Sequence, residues 1–373
     1  MNGIGNAAFE LMTSFWVLQS AAALIKTRKA RRLFVQHRRW LDQGVETKQI
    51  QRVALVIAIK GVSENFDRFM DFALGQDYPD YHVTFVTESE TDPAHAAILE
   101  KLAATSHVRA DLIVAGGAKE TGQKVHNLIA ALDRLENTDG IIAFADGDLY
   151  GRKDWLSCLA LPLNQKQADF TTGYRWFVPA DLTLPNRIIA LIGTAIEPLI
   201  GPNWRMCLWG GSMAMTRSVF DELEIKRNLH GCINDDARIS QLARLSGKKM
   251  RYVRSVAAPS PVDFTWASLF EFGRRQYFQL RIYQPSLWWM AMLIPLVYLV
   301  GFVTCLVRLG QGNFLMLVPL LAAVVLNLAR TRVRLGYLHE RFESGEAGTL
   351  AAAVRGSWWL DPLINLVHLL IIL

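Results

Sequence analysis

The sequence predicts an α/β domain with a Rossmann-like, mostly parallel sheet and hydrophobic helices near both ends of the chain. Short runs rich in β-branched residues alternate with segments of helical spacing through the middle of the chain, the pattern expected of such a sheet. Long uncharged stretches flank that middle part. With 51% hydrophobic and 20% charged residues among 373, the chain is too apolar to be disordered and too long for one small domain.

The N-terminal segment 1–25 predicts a membrane-spanning helix. It carries one charge, Glu10, and a basic run without any acidic residue follows it from Lys26 to Arg39. A secretory signal peptide carries its positive charge before the apolar stretch, so this order indicates a retained helix with the basic side in the cytoplasm. We therefore expect a basic juxtamembrane linker over 26–50. The alternative is an amphipathic helix lying on the membrane surface.

The C-terminal part, 286–373, predicts two to three further membrane helices. Residues 287–307 and 309–329 are each uncharged over 21 residues, the length that a spanning helix requires. Arg330, Arg332 and Arg334 follow the second stretch and again indicate a cytoplasmic end. The last apolar stretch, 362–373, is only 12 residues long, which leaves a third span open.

Residues 51–285 contain no spanning stretch and predict the α/β domain. Apolar runs at 53–59, 83–86, 112–115 and 141–145 predict four buried strands, and helical spacing between them predicts the connecting helices. Ligands of such sheets bind beyond the carboxyl ends of the strands.

Acidic residues stand at two of those ends. Glu88 follows the second strand, and Asp146 and Asp148 follow the fourth. Neither GxGxxG nor GxxxxGK[ST] is present, which argues against a dinucleotide or P-loop site. Two carboxylates at this spacing suit a hard cation such as Mg²⁺ or Mn²⁺ that holds a diphosphate. A solvated turn is the alternative.

Several motifs in a fixed order together resemble a membrane-integrated family 2 glycosyltransferase, closest to the ceramide glucosyltransferase-like (family 21) branch, over about residues 10–373. The motifs are GQKVHNL (122–128), TTGYRWF (171–177), WGGSMAM (209–215), NDD (234–236) and RRQYFQLR (274–281).

This resemblance implies a cytosolic GT-A catalytic domain and an inverting transfer from a nucleotide sugar. It implies that Glu88 contacts the nucleobase, although Asp is usual at this position. Asp146 and Asp148 would bind the divalent metal and the diphosphate, and Lys124 would contribute to the sugar-diphosphate site. Asp236 would be the general base.

The family's (Q/R)xxRW motif has no clean match, because Tyr277 and Phe278 stand where Arg and Trp are usual. Arg275 or Arg281 would then supply the missing charge. Asp235 has a second interpretation, as an acid in the first turn of a helix. We expect a leaving-group or acceptor site formed by Asp235, Arg274, Arg275, Tyr277 and Phe278.

Two further interpretations remain open. Residues 188–200 are too short to span a membrane, and they predict either an interfacial segment that admits a lipid acceptor together with the 264–283 region, or a buried core helix. Trp204, Trp209 and Trp266 line an acceptor cleft or pack in the core.

Taken together, the resemblance predicts transfer of a hexose, glucose from UDP-glucose, onto a membrane lipid hydroxyl such as that of ceramide or diacylglycerol. A hopanoid, polyprenyl phosphate or polysaccharide acceptor is the first alternative, and an inactive nucleotide-sugar-binding scaffold is the second. We expect a multi-pass protein of the bacterial inner membrane with a cytoplasmic catalytic domain. The net charge of +6 is concentrated beside the lipid surface, and no motif indicates nucleic acid binding.

Overall fold

A computed structural model describes residues 2–42, 50–105, 107–201, 205–342 and 344–373. The chain forms two compact units. The first comprises Met1–Val35, Trp176–Leu199 and Pro261–Leu373, and the second comprises Gln36–Arg175 and Ile200–Ser260. Residues 176–199 and 261–285 thus fall in the same unit as the hydrophobic helices. The predicted domain boundary at 285 stays a prediction.

The described residues form seven strands and fourteen α-helices. The strands are β1 (Arg52–Ala58), β2 (Tyr81–Thr87), β3 (Arg109–Val114), β4 (Asp139–Asp146), β5 (Phe170–Pro179), β6 (Ser212–Thr216) and β7 (Met250–Val262). The helices are α1 (Asn2–Asp42), α2 (Phe66–Leu74), α3 (Pro93–Ala103), α4 (Gln123–Leu132), α5 (Trp155–Asn164), α6 (Leu184–Ile196), α7 (Arg217–Glu222), α8 (Ile225–Leu229), α9 (Asp235–Leu245), α10 (Trp266–Tyr283), α11 (Pro285–Gly310), α12 (Leu317–Arg341), α13 (Ser344–Val354) and α14 (Asp361–Ile372).

The strands pair in one mixed sheet in the order β3-β2-β1-β4-β6-β5-β7. β1 pairs in parallel with β2 and with β4, and β2 pairs in parallel with β3, which confirms the four predicted strands. β6 runs antiparallel to β4 and to β5, so the whole sheet is mixed rather than mostly parallel. The antiparallel strands carry no βαβ pattern, which is why their direction was not predicted.

The core of the second unit lies on both faces of the sheet. Leu55 and Ile57 of β1 pack with Phe69 of α2 on one face, and Val56 packs with Leu128 of α4 on the other. Successive residues of a strand point to opposite faces, so a strand that is apolar at every position is covered on both sides. The uninterrupted apolar runs in the sequence have this cause.

α1 is one continuous helix of 41 residues, and its part up to Val35 belongs to the first unit. The helix continues through residue 26 to Asp42, so residues 26–42 of the predicted linker are helical. Residues 43–49 of that linker lie outside the described part. Trp16 of α1 packs edge-on against Tyr298 and Phe302 of α11, with ring centroids 6.1 and 5.6 Å apart. Leu18 of α1 is 63% exposed.

Two helical segments of the described residues are long and apolar enough to cross a membrane, Pro285–Gly310 and Phe314–Arg341. They coincide with the predicted C-terminal pair. α14 has 12 residues, about 18 Å of helix, and is too short to cross about 30 Å of hydrocarbon alone. The N-terminal span and the total number of spans stay predictions.

The segment 188–200 begins inside α6. Ile188, Ile189 and Ile192 are buried within the first unit, whereas Ile196 at the end of the helix is 37% exposed. This burial favours the core-helix interpretation over an interfacial segment, because the apolar side chains that a bilayer would cover are already covered by protein.

The close contact between α1 and α11 predicts that adding one methyl group at Gly301 strongly lowers the stability of the protein. A Cβ added at Gly301 would lie 2.5 Å from Trp16 Cβ and 2.6 Å from the Met12 carbonyl oxygen. We expect Gly301→Ala to lower the free energy of unfolding by about 1–3 kcal/mol through overpacking, measured by thermal unfolding in detergent.

The matched control is Gly348→Ala in α13, where an added Cβ would meet nothing within 4 Å. Because alanine restricts the unfolded chain more than glycine does, this variant should gain about 0.5–1 kcal/mol. Equal effects of the two substitutions would contradict the close packing of α1 on α11.

Candidate functional site

The candidate site lies at the carboxyl end of β4. Asp146 is the last residue of this strand and pairs in register with Ala58, the last residue of β1. β6 begins at this same edge because it is antiparallel to β4, and Ser212 pairs with Ala145. The tight turn before Ser212 therefore lies directly beside Asp146, whose backbone N–H donates to the Gly211 carbonyl at 3.3 Å.

Lys124 joins acids of two different elements, β4 and α9. It lies in the first turn of α4, and its Nζ is 2.8 Å from Asp146 Oδ1 and 3.5 Å from Asp235 Oδ1. Burial alone would lower the pKa of Lys124, but the charges of Asp235, Asp146 and Asp236 outweigh burial and raise that pKa. The ammonium group is therefore fully charged at neutral pH and holds the carboxylates together.

Asp235 and Asp236 form the first turn of α9. Asn234 caps this helix, with its Oδ1 accepting from the Ala237 N–H at 2.8 Å, and acids in a first turn interact favourably with the helix dipole. The side chain of Asp235 is 3% exposed. Asp236 Oδ2 accepts a hydrogen bond from the Gly210 N–H at 2.8 Å.

Asp236 holds its proton more tightly than an ordinary aspartate. Burial raises its pKa first, the negative charge of Asp235 raises it further, and Lys124 opposes both, so that the pKa is about 7. This carboxyl group can therefore accept and release a proton near neutral pH, as a general base must.

The Gly210-Gly211 turn is built around these carboxylates. A Cβ on Gly210 would lie 2.5 Å from Asp235 Oδ2 and 3.2 Å from Lys124 Nζ, and a Cβ on Gly211 would collide with Asp146 Oδ2. Only glycine permits this close approach of the backbone. The turn therefore brings a donor N–H to Asp236 at a place where any side chain would push the acids apart.

Asp148, the second acid of the DxD motif, faces a different cation. Its Oδ2 is 3.2 Å from Arg175 Nη2, and Arg175 Nε donates to Ser260 Oγ at 2.9 Å. Arg175 belongs to the quoted TTGYRWF motif, but its pairing with Asp148 was not foreseen, because no local spacing joins a residue of β5 to the end of β4.

The two acids of the DxD motif have the chemistry to bind a divalent cation, but two carboxylates alone are not a complete set of ligands for it. Within the described residues, no group of three or more His, Cys, Asp or Glu side chains is placed to hold a metal ion. Asp146 and Asp148 offer the carboxylate oxygens that Mg²⁺ and Mn²⁺ prefer. They fit a cation whose remaining ligands are phosphate oxygens and water.

Glu88 lies at the same edge of the sheet, directly after β2. β2 is two strands from β4, which corresponds to about 10 Å across the sheet. Lys60 Nζ is 3.4 Å from Glu88 Oε2. Asp92, which was not assigned a role, accepts from the Gly61 N–H at 2.8 Å and so connects the loops that follow β1 and β2.

The other polar residues of the GQKVHNL motif support the site. Gln123 Nε2 donates to the Gly116 carbonyl at 2.9 Å, and His126 Nε2 contacts the Ala115 carbonyl at 3.0 Å. Both contacts hold the loop after β3 against α4. Lys124 is the residue of this motif that reaches the carboxylates.

The predicted acceptor-site residues on α10 belong to the first unit. Tyr277 packs against His368 with ring centroids 5.2 Å apart, and the Arg275 guanidinium lies 5.6 Å from the Phe272 ring. Arg274 lies 6.0 Å from the Phe270 ring, and Phe278 is 61% exposed. A joint site of these residues with Asp235 and Asp236 stays a prediction.

The three tryptophans of the predicted acceptor cleft differ in their surroundings. Trp209 is partly buried and packs against the core of the sheet. Trp266, the first residue of α10, is 43% exposed. Trp204 lies outside the described residues.

Comparison of the sequence with known families gives one match over most of the chain. The profile of glycosyl transferase family 21 matches residues 11–354. No curated protein sequence matches the chain.

The structure is similar to those of several nucleotide-sugar enzymes. The mannosyltransferase PcManGT from Pyrobaculum calidifontis, solved with GDP-Man and Mn²⁺, has a TM-score of 0.50 at 14% identity, over 93% of this chain and 99% of that one. TarS 1–349 from S. aureus has a TM-score of 0.40 at 11% identity, over 86% and 89%. Glucosyl-3-phosphoglycerate synthase from Mycobacterium tuberculosis has a TM-score of 0.41 at 13% identity, over 63% and 80%. At these identities the likeness to PcManGT shows a shared fold of the GT-A type.

The position of Lys124 predicts that it competes with a metal ion. Since Nζ occupies Asp146 Oδ1 at 2.8 Å, Lys124→Met should free this oxygen and remove a positive charge beside it. We expect the affinity of the nucleotide-free protein for Mn²⁺ to rise by about tenfold or more, measured by electron paramagnetic resonance of the bound ion.

Lys60→Met provides the matched control, since Lys60 pairs with Glu88 and is 78% exposed. This variant should bind Mn²⁺ as the unchanged protein does, because an exposed pair is strongly screened. Circular dichroism checks that both variants are folded. An unchanged or weaker Mn²⁺ affinity in Lys124→Met would contradict the competition.

Proposed function

Because this chain belongs to glycosyl transferase family 21, we propose that it transfers a hexose, glucose from UDP-glucose, onto the hydroxyl group of a membrane lipid such as ceramide or diacylglycerol. The observation that carries this proposal is the arrangement of Asp236, hydrogen-bonded to the Gly210 N–H, beside the Lys124–Asp146 ion pair. It combines a carboxyl group that titrates near neutral pH with charged groups suited to a diphosphate.

Asp236 is the general base of this proposal. A lipid hydroxyl is a poor nucleophile unless a carboxylate accepts its proton in the transition state. The hydroxyl oxygen then attacks the anomeric carbon, the bond from that carbon to the diphosphate oxygen breaks, and the nucleoside diphosphate leaves. A single displacement needs only one carboxylate and inverts the anomeric configuration, whereas retaining hydrolysis requires a pair.

Asp146, Asp148 and Glu88 form the donor side. Asp146 and Asp148 would hold a divalent cation, Mg²⁺ or Mn²⁺, which when bound neutralises charge on the diphosphate. Lys124 and Arg175 place positive charge beside the same acids and stabilise the leaving group. Glu88, two strands away, contacts the nucleobase. PcManGT, which shares the fold, is solved with GDP-Man and Mn²⁺.

The acceptor approaches from a membrane in this proposal. α10 ends at Tyr283 and the first candidate span begins at Pro285, so α10 leads directly into a candidate membrane helix. Phe278 is 61% exposed and offers an apolar contact for a lipid chain near Arg274 and Arg275. α1 completes a multi-pass arrangement in the bacterial inner membrane, with its basic half and the catalytic unit on the cytoplasmic side.

Transfer in a defined bilayer tests this function. We expect the purified protein in lipid nanodiscs to convert UDP-glucose and ceramide or diacylglycerol into glucosyl lipid, detected by mass spectrometry. Asp236→Asn should reduce the rate by about 10²–10⁴-fold, because its amide cannot accept the proton. Asp221→Asn, which alters a surface acid paired with Arg217, is the matched control and should retain the rate. Undiminished transfer by Asp236→Asn would exclude it as the base.

The pH profile gives a second test of the same residue. Asp236 acts as a base only when deprotonated, so transfer should be full above a pH of about 7 and fall as the pH decreases through that value. Asp235→Asn removes a negative charge that raises the pKa of Asp236, and should therefore move the profile to lower pH. A profile that stays in place or moves to higher pH would contradict the assignment.

A further inference from the structure

The buried face of α12 is polar, although the helix belongs to a candidate membrane span. Its inward-facing residues recur at intervals of three and four, which places them on one side of the helix. Opposite them, Val318, Leu321 and Val325 are 61–69% exposed, as side chains that face lipid would be. The buried residues of the stripe are Asn327, Arg330, Thr331, Arg334, Tyr337, Leu338 and Arg341.

Two of the three arginines in this stripe are compensated by acids. Arg330 forms an ion pair with Asp361, the first residue of α14. Arg341 Nη1 lies 3.2 Å from Glu197 Oε1, and both side chains are fully buried. Tyr337 also donates to Glu197 Oε1 at 3.0 Å. Each of these charges therefore has a partner within the first unit.

Arg334 has no such partner. It is 5% exposed, and within the described residues it forms no ion pair. Its Nε atom is buried and donates no hydrogen bond in that part of the chain. Asp361, the first residue of α14, is already paired with Arg330. An arginine cannot lose its proton to escape burial, so an uncompensated guanidinium here is costly without an anion.

The position of Arg334 along the helix corresponds to the depth of lipid phosphates. Twenty residues separate it from Phe314, where the candidate span begins, which gives a rise of about 30 Å. The hydrocarbon core of a bilayer is also about 30 Å thick. With Phe314 at one edge of the hydrocarbon, Arg334 would lie at the opposite edge, at the end of the span rich in basic residues.

A small void adjoins Arg334. Its volume is about 10 Å³, and Thr27, Trp176, Thr194 and Tyr337 line it together with Arg334. The hydroxyl groups of Thr27 and Thr194 donate to carbonyl groups of their own helices, and the Tyr337 hydroxyl donates to Glu197, so these three hydroxyl groups are engaged. The void has room for about one oxygen atom. Trp176 and Tyr337 are of the residue types that gather at the membrane interface.

We propose that Arg334 binds a phosphoryl oxygen of a membrane phospholipid, in a site formed by the buried face of α12 with Thr27 and Thr194. The lipid phosphate supplies the negative charge that the protein lacks at this point. The phosphodiester of a phospholipid is present at this depth in every bilayer, whereas free phosphate would have to leave water to reach it. Binding at Arg334 does not depend on the transfer reaction proposed above.

Thermal unfolding in lipid-free detergent provides the first test. Arg334→Met keeps an unbranched apolar stem and removes the uncompensated charge, so its apparent Tm should equal or exceed that of the unchanged protein. Arg341→Met is the matched control, about two turns further along α12. It leaves Glu197 buried without its cation and should lower the Tm. A lower Tm for Arg334→Met would show that its charge is compensated inside the protein and would overturn the proposal.

Addition of lipid provides the second test. Phosphatidylglycerol in dodecyl maltoside micelles should raise the Tm of the unchanged protein by about 2–4 °C. A triacylglycerol with the same acyl chains, which lacks both the phosphate and the free hydroxyl group of the proposed acceptor, should not. Arg341→Met should keep this response and Arg334→Met should lose it. The same response in Arg334→Met would place the lipid elsewhere and sink the idea.

Inorganic phosphate distinguishes the two sources of the anion. If the phosphate binds as part of a lipid, millimolar inorganic phosphate should leave the Tm of the unchanged protein in place. A rise equal to that with phosphatidylglycerol, lost in Arg334→Met, would assign the site to a free ion and overturn the lipid source. Native mass spectrometry should find phosphatidylglycerol retained on the unchanged protein and reduced on Arg334→Met.

Discussion

The ion pair between Lys124 and Asp146 is the interaction on which the candidate site depends. It joins α4, the end of β4 and the start of α9 through one ammonium group, which lies 2.8 Å from Asp146 and 3.5 Å from Asp235. Without this cation, three carboxyl groups at one edge of the sheet would repel each other in a partly desolvated place. The same charge keeps the pKa of Asp236 from rising further. The charge of Lys124 therefore both holds the acids of the site in place and sets the acid–base behaviour of Asp236.

The rest of the site follows from strand direction. Parallel strands bring Glu88 and Asp146 to one edge, and the antiparallel β6 returns the chain to that edge, so that the Gly210-Gly211 turn lies among the acids. Glycine is required there because a Cβ on either residue would meet a carboxylate oxygen. The backbone of this short turn thus donates an N–H to Asp236 without adding the volume that a side chain would occupy.

Local patterns in the sequence predicted the parts of the molecule that depend on local physics. The apolar runs predicted β1 to β4, because a strand covered on both faces must be apolar at successive positions. The uncharged stretches predicted the two C-terminal candidate spans, and the motif order predicted the family. The sequence did not predict the pairing of Arg175 with Asp148 or the buried arginines of α12. The ion pairs of these arginines join residues that are distant in the chain. A sequence also does not show whether an arginine is solvated, paired or buried. Hydropathy likewise does not indicate which neighbour a helix packs against, so it did not predict that residues 176–199 and 261–285 fall in the same unit as the hydrophobic helices.

The continuity of α1 has a mechanical consequence. A helix of 41 residues without an internal glycine or proline after residue 5 has no hinge, and it is about 60 Å long. Trp16 packs on α11 and Phe34 packs on Tyr337, so α1 is held at two positions along its length. Because the helix is continuous, a rotation of its N-terminal part about the helix axis turns its C-terminal part by the same angle. A change in the packing of the hydrophobic half is thus carried as torsion into the basic half. A flexible linker between the two halves would have absorbed it.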